Sequence, residues 1–141
     1  MEREHRESNY TECSEAVIDR GLTCATLVHK KLGPAGSNES VYRHAMIVEL
    51  RREGLQAQAE VEVPVYYDGV RLPVAFRADI IVEGCLLLEL KSVEAISDLH
   101  LAQTINYLNL LKFRRGFILN FNVRLMKLGI KRVSVGPAKD N

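Results

Sequence analysis

The chain has 141 residues, 47% of them hydrophobic and 26% charged, with a formal net charge of +1. This length fits one domain that buries roughly two-thirds of its unfolded surface. The apolar runs are far shorter than the roughly 20 residues that cross a bilayer, and the polar start is unlike a signal peptide. Three widely spaced cysteines, Cys13, Cys24 and Cys85, argue for a reducing compartment and against a thiolate zinc site. We therefore expect a cytoplasmic protein that does not contact membranes.

The charges are unevenly distributed along the chain. Residues 101–141 carry a net charge of +7, so residues 1–100 carry −6. A basic segment beside an acidic one matches the footprint of a protein that binds a phosphate backbone. Solvated cations scattered over the surface are the more common explanation of such a pattern. On the first interpretation, Lys112, Arg114 and Arg115 are candidate substrate-binding residues.

The apolar patterns predict one domain, residues 14–136, between a polar, flexible segment at 1–13 and a short tail at 137–141. The predicted helices are Ser14–Leu32, Glu39–Arg52 and Asp98–Leu111. The predicted strands are Gln58–Tyr67, Val70–Val82, Cys85–Ser92, Gly116–Phe121 and Ile130–Val135. Pro64 and Pro73 indicate edges or bulges. The order α-α-β-β-β-α-β-β predicts an α/β fold in which helices flank a mixed sheet.

The most informative feature is the hairpin that carries Asp79 on one strand and Glu89-Leu90-Lys91 on the next, joined by a tight Glu83-Gly84 turn. Side chains alternate along a strand, so Glu89 and Lys91 emerge on one face about 6–7 Å apart, and Asp79 approaches the same point. Uncompensated burial of these charges would cost several kcal/mol or more, which indicates a bound cation or polar ligand.

Two carboxylates suit Mg²⁺ or Mn²⁺, which offset the charge that builds on a phosphate under attack. Lys91 is placed to orient the attacking water or to stabilise the transition state. The chemistry indicated is phosphodiester hydrolysis. The simpler alternative is a surface ion pair on an edge strand, because such short patterns recur by chance.

Three further residues are candidates for the same site. Gln103 and Tyr107 share a face of the third predicted helix, where they could hold water or phosphate or simply line an amphipathic helix. Glu39 opens the second helix, either as a further acidic site residue or as a complement to the helix dipole.

Taken together, these residues resemble a known family. Residues 36–42 read GSNESVY, which matches the GxxExxY signature of a group of small bacterial proteins placed in the PD-(D/E)XK nuclease superfamily. Further similar segments are His29-Lys30-Lys31-Leu32-Gly33-Pro34, Arg77-Ala78-Asp79, Glu89-Leu90-Lys91, Leu119-Asn120-Phe121 and Gly129-Ile130-Lys131-Arg132. The chain departs from the family pattern in the polar loop before Glu39, which is one residue longer.

The resemblance implies a restriction-endonuclease-like core with Asp79, Glu89 and the backbone of Leu90 as ligands of Mg²⁺ or Mn²⁺. It also implies that Lys91 is the catalytic lysine, that Glu39 is the helical acidic residue, and that Gln103 and Tyr107 form a Q-xxx-Y element. Arg77 is a further candidate for substrate contact.

The leading hypothesis is a metal-dependent nuclease acting on DNA, with RNA as a second possible substrate, working alone, as a homodimer or in a larger assembly. The alternative is a catalytically silent nuclease-like module that binds nucleic acid or a protein partner. A purely structural acidic pair in an assembly subunit ranks last.

Overall fold

The computed structural model describes residues 9–34 and 38–136. In chain order, the elements are α1 (Glu15–Leu32), α2 (Glu39–Arg52), β1 (Ala57–Tyr67), β2 (Val70–Val82), β3 (Leu86–Lys91), α3 (Asp98–Leu111), β4 (Arg115–Asn120), a 3₁₀ turn (Met126–Gly129) and β5 (Ile130–Ser134). The predicted order is confirmed, and each predicted end lies within one residue of the observed end. Among the described residues, no helix is long and apolar enough to span a bilayer.

The five strands form one mixed sheet in the order β1-β2-β3-β4-β5. Neighbouring strands are antiparallel except β3 and β4, which are parallel. The connection between these two parallel strands contains α3, as a crossover requires. Helices cover both faces of the central strand β3, so its leucines are buried and it presents few polar side chains. The predicted mixed sheet flanked by helices is confirmed.

The two faces of the sheet build two separate cores. Leu86, Leu88 and Leu90 pack with α1 and α2, in a cluster that includes Tyr42 and Phe121. The other face packs against α3 through a second set of buried side chains, namely Ile81, Leu87, Tyr107, Leu108, Ile118 and Val133. Because side chains alternate along β3, Glu89 lies on the same face as Leu87 and therefore on the α3 side.

Strands β1 and β2 form a ribbon that is longer than β3, and the ribbon is irregular at two places. Glu60 has a left-handed backbone with φ of 53°, at the position opposite Asp79 in the β1–β2 register. The second irregularity is a register shift between Pro64 and Tyr66, and the extra residues of β2 there include Pro73. The prediction that the two prolines mark an edge or bulge is confirmed, since β1 is an edge strand and Pro73 lies in the bulge.

The segment before α1 is attached to the domain where the structure describes it. The Thr11 N–H donates to the Lys112 carbonyl at 2.7 Å, and the Arg114 N–H donates to the Thr11 carbonyl at 2.9 Å. Cys13 forms a disulfide with Cys85, at a Cα–Cα distance of 5.2 Å. The cysteine spacing did not predict this pair, which weakens the argument for a reducing compartment. The rest of the predicted flexible start, 1–8, and the tail, 137–141, lie outside the described residues.

Candidate functional site

The acidic pair lies where β2 and β3 stop pairing. The last β2–β3 backbone pair is Ile80 with Leu88. Beyond it, the Asp79 N–H donates to Glu89 Oε2 at 2.9 Å, and the Leu90 N–H donates to Asp79 Oδ2 at 2.8 Å. Each carboxylate therefore replaces a carbonyl of the partner strand as acceptor, so the two side chains are fixed beside each other. The predicted convergence of Asp79 and Glu89 is observed.

Burial dominates the electrostatics of this pair. Glu89 is only 3% exposed. Burial, followed by the negative charge of Asp79, raises the pKa of Glu89 to about 8. Burial also raises the pKa of Asp79, although the Leu90 N–H and the charges of Lys91 and Arg43 oppose the shift. Two neighbouring buried carboxylates resist joint ionisation. The pair is therefore a site that a cation would stabilise in its ionised form.

Two cations act on the acidic pair from different elements. Lys91 follows Glu89 by two residues on the same face of β3, and its charge lowers the pKa of both carboxyl groups. Arg43 comes from α2 and lowers the pKa of Asp79. Its side chain is 17% exposed and lies 3.7 Å from the Glu60 carboxylate. Within the described part of the chain, the buried Arg43 Nε has no hydrogen-bond partner. Positive charge thus acts on the acidic pair from the sheet, through Lys91, and from α2, through Arg43.

Glu39 also reaches this end of the sheet. Its Oε2 accepts the Ser92 N–H at 3.2 Å, one residue beyond β3. Its negative charge raises the pKa of both Asp79 and Glu89. Part of the atypical loop before Glu39, residues 35–37, lies outside the described residues. The helix start is nevertheless well anchored, because Tyr42 donates to the Gly33 carbonyl and its ring stacks on Phe121 at 4.5 Å.

The α3 side of the pair carries the predicted Gln103 and Tyr107. The Gln103 amide donates to Tyr107 Oη at 3.4 Å, so the two side chains do share a face. Burial, and next the charge of Glu89, raises the pKa of the Tyr107 phenol, whereas a hydrogen bond from the Arg77 backbone lowers it. The Arg77 side chain points its guanidinium to Glu60, at 3.5 Å. Helix α3 therefore brings a neutral phenol and an amide beside the carboxylates.

The other predicted substrate-binding residues lie at the opposite end of β4. Arg115 is paired with Leu86 at the start of the parallel β3–β4 ladder, whereas Lys91 is paired with Asn120 at its end. Five residues of extended strand separate these positions, roughly 16 Å. Arg114 and Arg115 are bound to carboxylates there, and Lys112 stands over the Tyr10 ring at 5.3 Å. The structure does not bring this basic cluster to the acidic pair.

Two residues of the site were missed at the sequence level. The sequence did not single out Arg43, because an arginine near a helix start is usually solvated. The signal that could have found it is its i,i+4 spacing from Glu39, which places both side chains on one face of α2. Asn120 is 3% exposed, and its amide binds both the N–H and the carbonyl of Val93. It thereby fixes the chain just after Lys91. Only its place in a segment similar to the nuclease family pointed to it.

The acidic pair is a suitable donor set for a hard divalent cation. Each carboxylate uses one oxygen for a backbone N–H, and among the described residues no hydrogen bond occupies the other oxygen, Asp79 Oδ1 or Glu89 Oε1. Across 9–34 and 38–136, no group of three or more His, Cys, Asp or Glu side chains is placed to hold a metal. Two carboxylates supplemented by backbone and water oxygens are typical of magnesium sites.

A mixed sheet between helices, with an acidic pair and a lysine where the central strand ends, defines a nuclease-like α/β domain. A family model of the PD-(D/E)XK nuclease superfamily matches residues 12–133. The chain belongs to this superfamily. Membership of the GxxExxY group within it stays a prediction.

A solved structure supports the same fold. The chain is similar to "Crystal structure of SSO0001", with 17% sequence identity and a TM-score of 0.50, over 94% of this chain and 69% of that one. At this identity the similarity shows the fold alone. No curated protein matches the chain.

Proposed function

We propose that the protein is a divalent-metal-dependent nuclease that hydrolyses phosphodiester bonds of DNA, with RNA as the alternative substrate. The observation that carries the proposal is the reciprocal pair of a half-buried Asp79 and a buried Glu89 beside Lys91. A buried pair of repelling carboxylates destabilises the fold unless a ligand compensates it. A pure binding module has no need of two carboxylates where a phosphate would lie.

In this proposal Asp79, Glu89 and the backbone carbonyl of Leu90 hold Mg²⁺ or Mn²⁺. The ion, when bound, supplies positive charge for a phosphate under attack. Lys91 holds the attacking water or stabilises the negative charge of the transition state. Glu39, the third carboxylate, fixes the chain after Lys91 through the Ser92 N–H. Gln103 and Tyr107 position the substrate phosphate by hydrogen bonds from the α3 side.

The second candidate function is a catalytically silent module that binds nucleic acid or a protein partner. It is favoured by one observation, that within 9–34 and 38–136 no group of three or more His, Cys, Asp or Glu side chains is arranged to hold a metal. The two candidates differ in what a metal does. A nuclease cleaves only with the metal, whereas the module binds without cleavage and independently of Mg²⁺.

The experiment uses labelled single- and double-stranded DNA with EDTA, Mg²⁺ or Mn²⁺, and the variant Lys91→Ala. We expect metal-dependent cleavage that falls at least about a hundredfold in the variant, as for loss of one transition-state donor. The fold should be retained, because Lys91 is partly exposed at a strand end. Lys30→Ala, an exposed substitution on α1, is the matched control and should cleave like the wild type. Equal cleavage by Lys91→Ala would disprove the mechanism.

A further inference from the structure

A cleft of about 610 Å³ opens beside Lys91, between α3 and the β1–β2 ribbon. Its walls include Phe76 from β2, Leu99, Gln103, Asn106 and Tyr107 from α3, and Lys91 itself. Lys91 therefore lies beside the acidic pair and also lines the cleft. A ligand whose phosphate binds at the acidic pair would have its neighbouring group inside this cleft.

The apolar surface of the cleft is aromatic and open. Phe76 is 39% exposed, and the centroid of its ring lies 5.3 Å from that of Tyr107 with the planes inclined at 32°. Leu99, in the first turn of α3, is 78% exposed. An aromatic ring with an open face is a stacking platform for a flat, aromatic ligand. The walls thus suit a planar ring system better than an extended polar chain.

The polar groups of the cleft suit the edges of such a ring system. Gln103 and Asn106 are exposed amides, and each carries both donors and an acceptor. His100 Nδ1 accepts the Ser97 N–H at 3.0 Å, so in the neutral ring Nε2 carries the proton. His100 also lines the cleft. Donors and acceptors of this kind can bind any of the nucleobases, so the cleft should be tolerant of sequence.

We propose that this cleft binds the base of one unpaired nucleotide, next to the phosphate held at Lys91. The proposal rests on the proposed function and adds that the preferred substrate is single-stranded DNA or a frayed strand end. Inside a duplex, both faces of a base are stacked and its edge is paired, so neither is free for Phe76 or the amides. Extracting a base from a duplex costs a few kcal/mol, whereas a single strand presents it directly.

The first test measures binding without cleavage. Fluorescence anisotropy of a short labelled oligothymidylate is recorded in EDTA, for the strand alone and for its duplex with oligodeoxyadenylate. We expect the wild type to bind the single strand about tenfold more tightly, within the range of one stacked base. Phe76→Leu keeps an apolar side chain but loses the ring, and should lose this preference, whereas Phe76→Tyr should keep it. Val74→Ala, at an exposed position of the same strand, is the matched control.

A second measurement does not depend on a variant that folds. An oligomer of the same length made of abasic residues keeps the phosphates but has no bases, and should bind the wild type about tenfold more weakly than oligothymidylate. Equal binding of these two strands, or unchanged binding by folded Phe76→Leu, overturns the proposal.

Cleavage of the same strands with Mn²⁺ separates this proposal from the proposed function. Base-dependent binding without any cleavage would support the cleft as a base site and disprove the nuclease. Metal-dependent cleavage of duplex and single strand at equal rates, with base-independent binding, would support the nuclease and disprove the base site.

Discussion

The two ends of the sheet differ in whether their charged side chains form direct ion pairs. At the end where β3 finishes, Glu39, Asp79 and Glu89 lie close together, and the charges of Lys91 and Arg43 oppose theirs. At the other end, where β4 begins, the cations are bound directly by carboxylates. Arg114 lies 2.8 Å from Glu12, Arg115 lies 2.7 Å from Glu15, and Arg132 lies 3.9 Å from the same Glu15.

The comparison shows that charges at one end of the sheet are paired with each other within the fold, whereas charges at the other end are available to a ligand. Exposed ion pairs contribute about 0–1 kcal/mol each, and their partners cancel the field that a phosphate would feel. Among the described residues no cation forms a direct ion pair with Asp79 or Glu89, and burial raises the pKa of Glu89 to about 8. A cluster of basic residues in the sequence is therefore weaker evidence for a binding surface than an acidic pair that has no direct ion-pair partner in the part of the chain that the structure describes.

The largest effect is expected at the acidic end, from Glu89→Gln. Because glutamine supplies no carboxylate, cleavage should fall by about a thousandfold or more, a loss of several kcal/mol of transition-state stabilisation. The measurement is the initial cleavage rate with Mn²⁺. A variant that cleaves within tenfold of the wild type would show that Glu89 is dispensable and that the acidic end is not the reaction centre.

The same variant, Glu89→Gln, tests how the raised pKa of Glu89 makes the stability of the protein depend on pH. The folded wild type keeps the Glu89 proton up to about pH 8, whereas the unfolded chain releases it near the ordinary value of 4.5. In EDTA the stability contributed by this group is therefore complete below pH 4.5 and is lost as the pH rises to about 8, by at most about 1.4 kcal/mol per pH unit. Urea denaturation should show this decline in the wild type and a flatter profile in Glu89→Gln. Mg²⁺ should stabilise only the wild type at pH 8.

The next effect is expected at the opposite end, from Cys85→Ser. The disulfide with Cys13 closes a loop with a sequence separation of 72, so its loss should lower the free energy of unfolding by about 2–4 kcal/mol. The cleavage rate should not change, because the bridge lies at the end of the sheet remote from Lys91. Denaturation is measured with and without a reductant. If reductant leaves the wild type as stable as before, the pair does not stabilise the protein.

The smallest effects come from a matched pair of arginines, one at each end. Arg43→Ala should lower the cleavage rate about tenfold, because Asp79 loses a cation that favours its ionised form. Arg115→Ala should keep the rate within about twofold and lower the stability by no more than about 1 kcal/mol, since only its pair with Glu15 is lost. Equal losses of activity would show that both ends of the sheet serve the substrate.

The sequence predicts the elements and the acidic pair because both depend on local patterns. The predicted turn is present, because Glu83 and Gly84 have left-handed backbones with φ of 53° and 63°, but three residues, 83–85, separate the paired Val82 and Leu86. Side-chain alternation and the short hairpin bring Asp79 near Glu89, and the third loop residue, Cys85, sets the register in which the two are opposite each other. Gln103 and Tyr107 follow in the same way from helical periodicity.

The features that the sequence could not predict all join distant segments. The Cys13–Cys85 bridge and the partners of Arg114 and Arg115 depend on how the segment before α1 lies against the start of β4, and no spacing in the sequence encodes that path. Arg43 reaches Asp79 only after α2 has packed on the sheet. The substrate interpretation of the basic cluster treated its charges as unpaired, whereas two of its members have carboxylates within 2.8 Å.

The ribbon of β1 and β2 leaves one edge of β2 without a strand beside it, since β3 pairs only with residues 80–82 in the part of the chain that the structure describes. Such an edge is a template on which another chain can polymerise. Pro73 has no N–H and lies in the bulge of β2, so the strand offers a neighbouring chain an interrupted ladder. The bulge next to the cleft thus also opposes edge-to-edge association of the protein with other chains.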